Sequence, residues 1–274
     1  MNSIQISSKN SEFWNELCGT SLAKYLGIDD ASLTSLKKFD DWYFNFYPYL
    51  FNHIPFDLMK DKDVLEIGLG YGTVAQRLAA SGAHYTGLDI ATGPVEMVNH
   101  RIQQAGLTGT VIQGSILEPS FSEESFDYIV AIGCLHHTGD LRLAIENCRR
   151  LLRPGGKLIF MVYYAYSYRR YRIAFLNTLK TLFKEVVGYR GVVGKSKERE
   201  RAAYDSSSNG ACAPHTDWIS RRSLKKYCSN YNLFSVTLEN IDQERPFTLW
   251  TREQLINSKL PKFCGLDMYA TVTK

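Results

Sequence analysis

The sequence predicts an α/β fold with a parallel sheet and right-handed crossovers. Between residues 63 and 164, short apolar segments of strand length alternate with helical segments of about 10–15 residues. A glycine-rich turn joins the first strand to the first helix. Residues 126–133 form a nearly continuous apolar run, typical of a strand that is buried on both faces. A chain of 274 residues is long enough for one such domain with appendages.

Composition excludes several classes of protein. Hydrophobic residues make up 45% and charged residues 22%, which indicates a folded, soluble chain rather than a disordered one. No stretch reaches the roughly 20 apolar residues of a membrane span, and the N-terminus has no secretory signal, so we expect a cytoplasmic protein. The six cysteines are scattered without a CxxC pair. We expect reduced thiols and no metal site.

Residues 1–60 are predicted to form an aromatic helical cap that precedes the sheet. Twelve aromatic residues fall between residues 10 and 60. This is too much aromatic surface to leave in water, so it covers either the edge of the sheet or a ligand pocket, for which it would be a lid. If it is a lid, Tyr43 and Tyr47 are candidates for contact with the ligand.

Residues 61–164 are predicted to form the core of the domain. Apolar residues at 74, 75, 78 and 79 give the first helix one buried stripe. Pro94 suits the first turn of the second helix, and the segment Arg153–Gly156 ends the third. Strands are predicted at residues 63–68, 85–90, 110–114, 126–133 and 157–164, and helices at 72–81, 94–105 and 141–152.

Residues 165–220 are predicted to be a basic helical insertion followed by a polar loop. Ten basic and three acidic residues lie between residues 165 and 203. This balance suits an anionic ligand, an acidic partner or a membrane surface, although a solvated amphipathic helix at 168–187 is an equally ordinary explanation. Tyr163 and Arg169 are candidates for ring stacking and for an arginine fork, and His215 lies in the polar loop.

Residues 221–274 are predicted to hold a helix and the last strands of the sheet. The helix begins after Ser220, and the two strand candidates are residues 235–239 and 268–272. We expect these two strands to pair antiparallel at the edge of the sheet.

The glycine turn predicts the cofactor. Gly68, Gly70 and Gly72 lie at the end of a strand where nucleotides bind to parallel sheets. Asp89 ends the second strand, where it can accept hydrogen bonds from both hydroxyls of a ribose. A dinucleotide fingerprint would have a glycine at position 73, which is Thr. The carboxylate of Glu66 would repel a pyrophosphate but attract the ammonium and sulfonium of S-adenosylmethionine. We therefore expect S-adenosylmethionine.

These motifs resemble a known family. The segments VLEIGLGYG at 64–72, FDYIVAIGCLHH at 126–137 and LRPGG at 152–156, together with Asp89, are similar to class I S-adenosylmethionine-dependent methyltransferases of the small-molecule type 11 kind. The resemblance covers about residues 60–165. It implies a three-layer α/β/α Rossmann-like sheet of seven strands, here with a helical N-terminal lid and a helical insertion. It also implies methyl transfer to oxygen, nitrogen or carbon of a small molecule, with S-adenosylhomocysteine as the product.

The resemblance assigns roles around the cofactor. Glu66 would bind the methionine ammonium, Asp89 the ribose hydroxyls, and Ile90 would pack against the adenine. The usual Gly-Asp pair that binds the adenine amino group is Gly114-Ser115 here, so that contact falls to the Ser115 hydroxyl or the backbone of Ile116. The remaining predicted neighbours of the cofactor are Gly68, Gly70, Gly72, Gly133 and Cys134, the last two near the reactive methyl.

The chemistry needs few groups. Methyl transfer is an in-line displacement, so a base is needed only when the acceptor must lose a proton. His136 and His137 follow the strand end near the expected acceptor and are the candidate catalytic residues, unless both only hydrogen-bond the next helix. The candidate acceptor contacts are Tyr43, Tyr47, Tyr163, Arg169 and His215.

Three other functions remain open on the sequence alone. They are a dinucleotide-dependent oxidoreductase, which Glu66 and Thr73 disfavour, an RNA methyltransferase, and a non-catalytic partner protein with a methyltransferase-like fold. The expected partner is a small-molecule acceptor with an apolar or anionic part. DNA is not expected, RNA is disfavoured by the modest net charge of +4, and the chain is expected to be a monomer or a homodimer.

Overall fold

A seven-stranded mixed sheet forms the centre of the molecule. The computed structural model describes residues 3–274, so the first two residues of the predicted cap lie outside the described part. The strands are β1 (Asp63–Ile67), β2 (His84–Asp89), β3 (Thr110–Gln113), β4 (Phe126–Ile132), β5 (Leu152–Tyr163), β6 (Leu233–Glu239) and β7 (Asp267–Thr273). Their order across the sheet is β3-β2-β1-β4-β5-β7-β6.

The first five strands are parallel, and β7 runs antiparallel to both of its neighbours, β5 and β6. The predicted antiparallel pair of C-terminal strands is therefore present at the sheet edge. β5 begins earlier than predicted, at Leu152, because this residue already pairs with Phe126 of β4. The Gly155-Gly156 turn pairs with the last residue: the Gly155 N–H donates to the Lys274 carbonyl, and the Lys274 N–H donates to the Gly156 carbonyl.

Helices occupy both faces of the sheet and the ends of its strands. They are α1 (Ser3–Phe13), α2 (Thr20–Tyr25), α3 (Leu33–Phe46), α4 (Leu50–His53), α5 (Thr73–Ala80), α6 (Thr92–Gln104), α7 (Leu141–Leu151), α8 (Tyr168–Ile173), α9 (Phe175–Val186), α10 (Glu198–Ala202), α11 (Arg221–Tyr227), α12 (Arg252–Asn257) and α13 (Pro261–Cys264), with short 3-10 turns at Phe56–Leu58 and Leu135–His137. No described helix has the length and apolar character needed to cross a bilayer.

Two apolar layers hold the helices to the sheet. On one face, α7 and α11 pack on the strands through residues such as Ile145 and Leu224. On the other face, α5, α6 and the aromatic segment around Tyr49–Phe56 pack through Leu78 and Val98. The predicted three-layer fold with seven strands is confirmed. The helix predicted over 168–187 is two helices, because the backbone leaves the helical region at Ala174 (φ −141°, ψ 43°).

The N-terminal helices lie across the carboxyl ends of β1, β2 and β4. In α1, Asn10 donates to the carbonyl of His137 at 2.6 Å, and Ser11 donates to the carbonyl of Ile90 at 3.0 Å. In α3, Asp40 accepts hydrogen bonds from Thr73 at 2.6 Å and from Arg101 at 2.9 Å. These contacts fix the helical cap above the strand ends from which the predicted site residues project.

Candidate functional site

A cavity of about 570 Å³ lies at the carboxyl ends of the parallel strands, within the usual size range of small-molecule sites. We describe it in two parts. The turn side is formed by residues of β1, β2 and the loops after β3 and β4, including Glu66, Gly68, Asp89, Ser115 and Cys134. The aromatic side is formed by the cap, the end of β5, the insertion and β7, and its walls include Tyr43, Tyr47, Tyr163, Tyr204 and Tyr269. The two sides are continuous.

The glycine turn depends on glycine at Gly68. Its φ is +79°, and a Cβ at this position would collide with the side chain of Cys134. The Cys134 thiol in turn donates to the Ile67 carbonyl at 2.9 Å. The turn and the loop after β4 are therefore packed directly against each other. Gly70 lines the cavity, whereas Gly72 caps α5 and packs against Arg101 outside it.

Asp89 is held in place by backbone donors. Its Oδ2 accepts from the Leu69 N–H at 2.7 Å and its Oδ1 accepts from the Ala91 N–H at 2.9 Å. Burial raises the pKa of this carboxyl, and the backbone hydrogen bonds oppose the rise. Each oxygen keeps a lone pair, so the carboxylate can accept two further hydrogen bonds from a ligand in the cavity.

Glu66 is a buried carboxylate with one neutral partner. It is 3% exposed, and the Tyr85 hydroxyl donates to its Oε2 at 2.7 Å. Burial raises the pKa of Glu66 to about 8, against the opposing effect of the Tyr85 hydrogen bond. Burial disfavours the charged form of this carboxyl. A cationic ligand would stabilise the charged form, so Glu66 favours the binding of a cation.

The other predicted neighbours of the cofactor also line the cavity. Ile90, Gly114, Ser115, Ile116 and Gly133 are all in its wall. The Ser115 hydroxyl accepts from the Leu117 N–H at 3.2 Å, so it stabilises its own turn and still has a proton to donate.

His137 and Asp205 meet at the wall of the cavity. The Nδ1 of His137 lies 2.7 Å from the carbonyl oxygen of His215, which requires the proton on Nδ1 and leaves the Nε2 lone pair free in the neutral ring. Nε2 lies 3.6 Å from Oδ2 of Asp205, whose Oδ1 accepts from the Tyr163 hydroxyl at 2.9 Å. Burial raises the pKa of Asp205, and the nearby His137 opposes the rise.

His136 occupies a different environment from His137. Its ring is fully buried against those of His137 and Tyr163, with centroids 4.1 and 4.2 Å away, and it is not in the cavity wall. Neither ring nitrogen has a hydrogen-bond partner among the described residues. Burial lowers the pKa of His136 well below 6.5. Of the two predicted catalytic histidines, the structure brings only His137 to the site.

The predicted acceptor contacts divide in the same way. Tyr43, Tyr47 and Tyr163 line the cavity. His215 does not; its ring lies 3.0 Å from Asp217, and its carbonyl is what orients His137. Its contribution is therefore to position His137 through the backbone.

Arg169 lines the cavity, but its charge is already balanced. It pairs with Asp242 at 2.5 Å and with Glu244 at 2.6 Å. Its neighbours in the insertion are engaged too, since Arg170 is fully buried against Glu200 and Arg172 pairs with Glu244. The guanidinium of Arg169, which the sequence suggested could bind an anionic acceptor, is therefore already bound by carboxylates of the chain itself.

Sequence reasoning missed the three acids of the aromatic side. Asp205, Asp242 and Asp267 line the cavity, and none was named as a site residue. For Asp267 a signal existed, because it is the one charged residue of strand β7 and stands at its start. No group of three or more His, Cys, Asp or Glu side chains in residues 3–274 could hold a metal ion.

Comparisons with known proteins agree with this geometry. Residues 65–160 match the family model described as a methyltransferase domain. A ubiquinone biosynthesis O-methyltransferase of Actinobacillus pleuropneumoniae is 33% identical over 104 residues, which is 36% of this chain and 44% of that protein. Polyketide synthase 19 of Gibberella fujikuroi is 36% identical over 106 residues, 36% of this chain and 4% of the synthase.

The chain thus spans less than half the length of these curated relatives. Over the fold as a whole, an S-adenosylmethionine dependent methyltransferase from Mesorhizobium loti superposes with a TM-score of 0.55 at 13% identity, covering 83% of this chain and 97% of its own. The matched segment contains Glu66, the glycine turn, Asp89 and His137, the residues that meet in the cavity. Residues 65–160 therefore carry the sequence pattern of the methyltransferase domain family, on a fold like that of the S-adenosylmethionine dependent methyltransferase from Mesorhizobium loti.

Proposed function

We propose that this protein transfers a methyl group from S-adenosylmethionine to a small-molecule acceptor. The observation that carries the proposal is the continuity of the cavity, which joins the Glu66 and Asp89 carboxylates on the turn side to the His137 and Asp205 pair on the aromatic side. A cofactor and an acceptor can therefore meet inside one space covered by the helical cap.

The residues of the turn side fit the cofactor. Glu66 would bind the methionine ammonium, and the free lone pairs of Asp89 would accept the ribose hydroxyls. Ser115 and the backbone of Ile116 would bind the adenine edge. When bound, S-adenosylmethionine supplies an electrophilic methyl on a sulfonium. A pyrophosphate in the same place would face two carboxylates, which disfavours the dinucleotide-dependent oxidoreductase.

Proton removal from the acceptor falls to His137 in this proposal. Donation from Nδ1 to the His215 carbonyl fixes the tautomer in which Nε2 can accept a proton. Asp205, 3.6 Å from that nitrogen, would stabilise the imidazolium that results. His136 has no such role, because its ring does not border the cavity.

Binding of candidate cofactors tests the proposal. Melting temperatures would be measured with excess S-adenosylmethionine, S-adenosylhomocysteine, NADH and NADPH. Ligand at 100 times its dissociation constant stabilises a fold by about 2.7 kcal/mol, which raises the melting temperature by several degrees. We expect a rise with the two adenosyl sulfur compounds alone, which Asp89→Ala abolishes and Glu146→Gln, an exposed acid on α7, retains.

A rise with the nicotinamides alone would replace the proposal by an oxidoreductase. Binding of S-adenosylmethionine without turnover of any acceptor would favour the non-catalytic partner protein. RNA as the acceptor is disfavoured by the pairing of Arg169, Arg170 and Arg172 with carboxylates. The cytoplasmic location and the choice between monomer and homodimer stay predictions.

A further inference from the structure

The charges that line the cavity are strongly unequal. Among the described residues, five carboxylates and one guanidinium are in its wall. Glu66 and Asp89 belong to the turn side. Arg169 forms its ion pairs with Asp242 and with Glu244. It forms none with Asp205 or Asp267, the two other acids on the aromatic side, although its charge lowers the pKa of both.

Asp267 has one oxygen left for a ligand. The side chain is 4% exposed, and its Oδ2 accepts from the Asn240 amide at 2.8 Å. Its Oδ1 takes part in no hydrogen bond within the described chain. Burial raises the pKa of Asp267 to about 7, although Asn240 acts in the opposite direction. The charges of Arg169 and Arg252 also lower this pKa, but neither forms an ion pair with Asp267. A buried carboxyl without a counter-ion in direct contact is costly, and a bound cation would reduce that cost.

Tyrosine rings surround the same place. Tyr47 lies 5.0 Å from Tyr43 and 6.1 Å from Tyr49, which lies 5.7 Å from Tyr269, all as ring-centroid distances. Burial raises the pKa of Tyr43, Tyr47 and Tyr269, so the rings stay neutral. The faces of neutral phenol rings attract ammonium groups.

We propose that the acceptor carries a protonated amine, which binds between Asp267 and the rings of Tyr43, Tyr47 and Tyr269. This inference rests on the proposed function and makes its acceptor cationic rather than anionic. Asp267 pairs in register with Tyr163, whose hydroxyl donates to Asp205, so the amine site adjoins the pair that would take a proton from the acceptor.

Two probes of similar shape and opposite charge test the charge preference. Tyramine and 3-(4-hydroxyphenyl)propionate share a ring and a two-carbon arm, and each would be titrated to about 10 mM into the protein saturated with S-adenosylhomocysteine. We expect tyramine alone to bind. Asp267→Asn should weaken tyramine by about tenfold or more, whereas Glu239→Gln, the register partner of Asp267 on β6 and outside the cavity wall, should not.

Equal binding of the two probes, absence of tyramine binding, or unchanged tyramine affinity in Asp267→Asn would overturn the inference. Binding of S-adenosylhomocysteine is measured in the same series. If the wild-type protein did not bind this compound, the result would instead count against the proposed function. If Asp267→Asn does not fold, the comparison of the two probes on the wild-type protein still decides the matter.

A second, independent observation concerns the outer face of α9. Six of its large apolar side chains are exposed: Phe175, Leu176, Leu179, Leu182, Phe183 and Val186. At 100° per residue they form one continuous arc of the helix. The buried side, next to this arc, is polar, since it consists of Thr178 and Glu185, and Glu185 accepts from the hydroxyls of Tyr166 and Ser220. The helix therefore turns its apolar side outward.

The surroundings of this arc are basic. Lys180 and Lys184 lie along its edge, and two of the three acids between residues 165 and 203, Glu185 and Glu200, are buried. The geometry points to an anionic lipid surface as the occupant, with the arc in the headgroup region and the lysines on the phosphates.

Vesicle sedimentation tests this. We expect the protein to bind vesicles of phosphatidylglycerol and phosphatidylcholine but not phosphatidylcholine alone, and Leu176→Glu with Phe183→Glu to abolish binding. Leu249→Glu, at a side chain that is 93% exposed elsewhere, should leave binding intact. Failure to bind either vesicle overturns the proposal, as does a dimer in solution that the α9 substitutions dissociate, which would make a second copy the occupant.

Discussion

The Nε2 atom of His137 lies 3.6 Å from the Oδ2 atom of Asp205, and neither atom has a hydrogen-bond partner in the described part of the chain. Both residues line the cavity. Both atoms are buried and lack partners. Because the proton of His137 is on Nδ1, its Nε2 atom is an acceptor, so a ligand can donate a hydrogen bond at this site.

The first prediction concerns this pair. His137→Ala should lower turnover of an acceptor that must lose a proton by about 10²- to 10⁴-fold, because the group that accepts the proton is gone. Affinity for S-adenosylhomocysteine should not change. The control is His84→Ala, at an exposed ring far from the cavity wall. Full turnover by the His137 variant would make the base assignment wrong.

His136 should affect stability and its dependence on pH. The folded state holds this ring neutral, with a pKa well below 6.5, whereas the unfolded chain binds a proton near that pH. The unfolded state thus takes up more protons in acid, and stability is lost as pH falls through 6.5 and below. His136→Leu should reduce this loss, measured as the free energy of unfolding against pH. An unchanged acid limb would contradict the prediction.

Glu66 should couple cofactor binding to pH. Its pKa is about 8 when folded against 4.5 as the ordinary value, so between these pH values the folded state holds a proton that the unfolded state has released. The stability of the free protein should therefore fall as pH rises from about 4.5 to about 8, by up to about 1.4 kcal/mol per pH unit from this group.

Binding of the methionine ammonium requires ionised Glu66, so S-adenosylmethionine should release a proton from this site when it binds at pH 7. Calorimetry in buffers of different ionisation enthalpy measures that release. Glu66→Gln should remove this contribution, and an equal release from the variant would show that another group titrates.

The Gly68 turn can be separated into its two constraints. Gly68→Ala should be destabilised both by the positive φ and by the collision with Cys134. Gly155 has nearly the same φ, +78°, with no atom within 4 Å of an added Cβ, so Gly155→Ala measures the φ cost alone, about 1 kcal/mol. Denaturant titrations of both variants should show the larger loss at Gly68. Equal losses would mean that the loop after β4 yields without cost.

The sheet and the turn side were accessible from the sequence because their signals are local. Each strand signal lies within a few residues, and the first strand, the glycine spacing and Asp89 all lie within 30 residues of one another. Asp267 was missed because it comes close to the cavity only when β7 pairs with β5, a strand far from it in the sequence. The ion pairs of Arg169 were not predicted for a similar reason, since its partners Asp242 and Glu244 lie more than 70 residues later. The four-segment division of the chain stays a prediction.

The hydrogen bond from Asn10 to the His137 carbonyl joins residues that are 127 positions apart, and the bond from Ser11 to Ile90 spans 79. Contacts with such separations form slowly, because the entropy cost of closing a long loop must be met before the contact can stabilise the fold. During synthesis the first helix leaves the ribosome before any strand that it will cover. We expect the helical cap over the cavity to be the last part of the chain to dock, after the sheet beneath it has assembled.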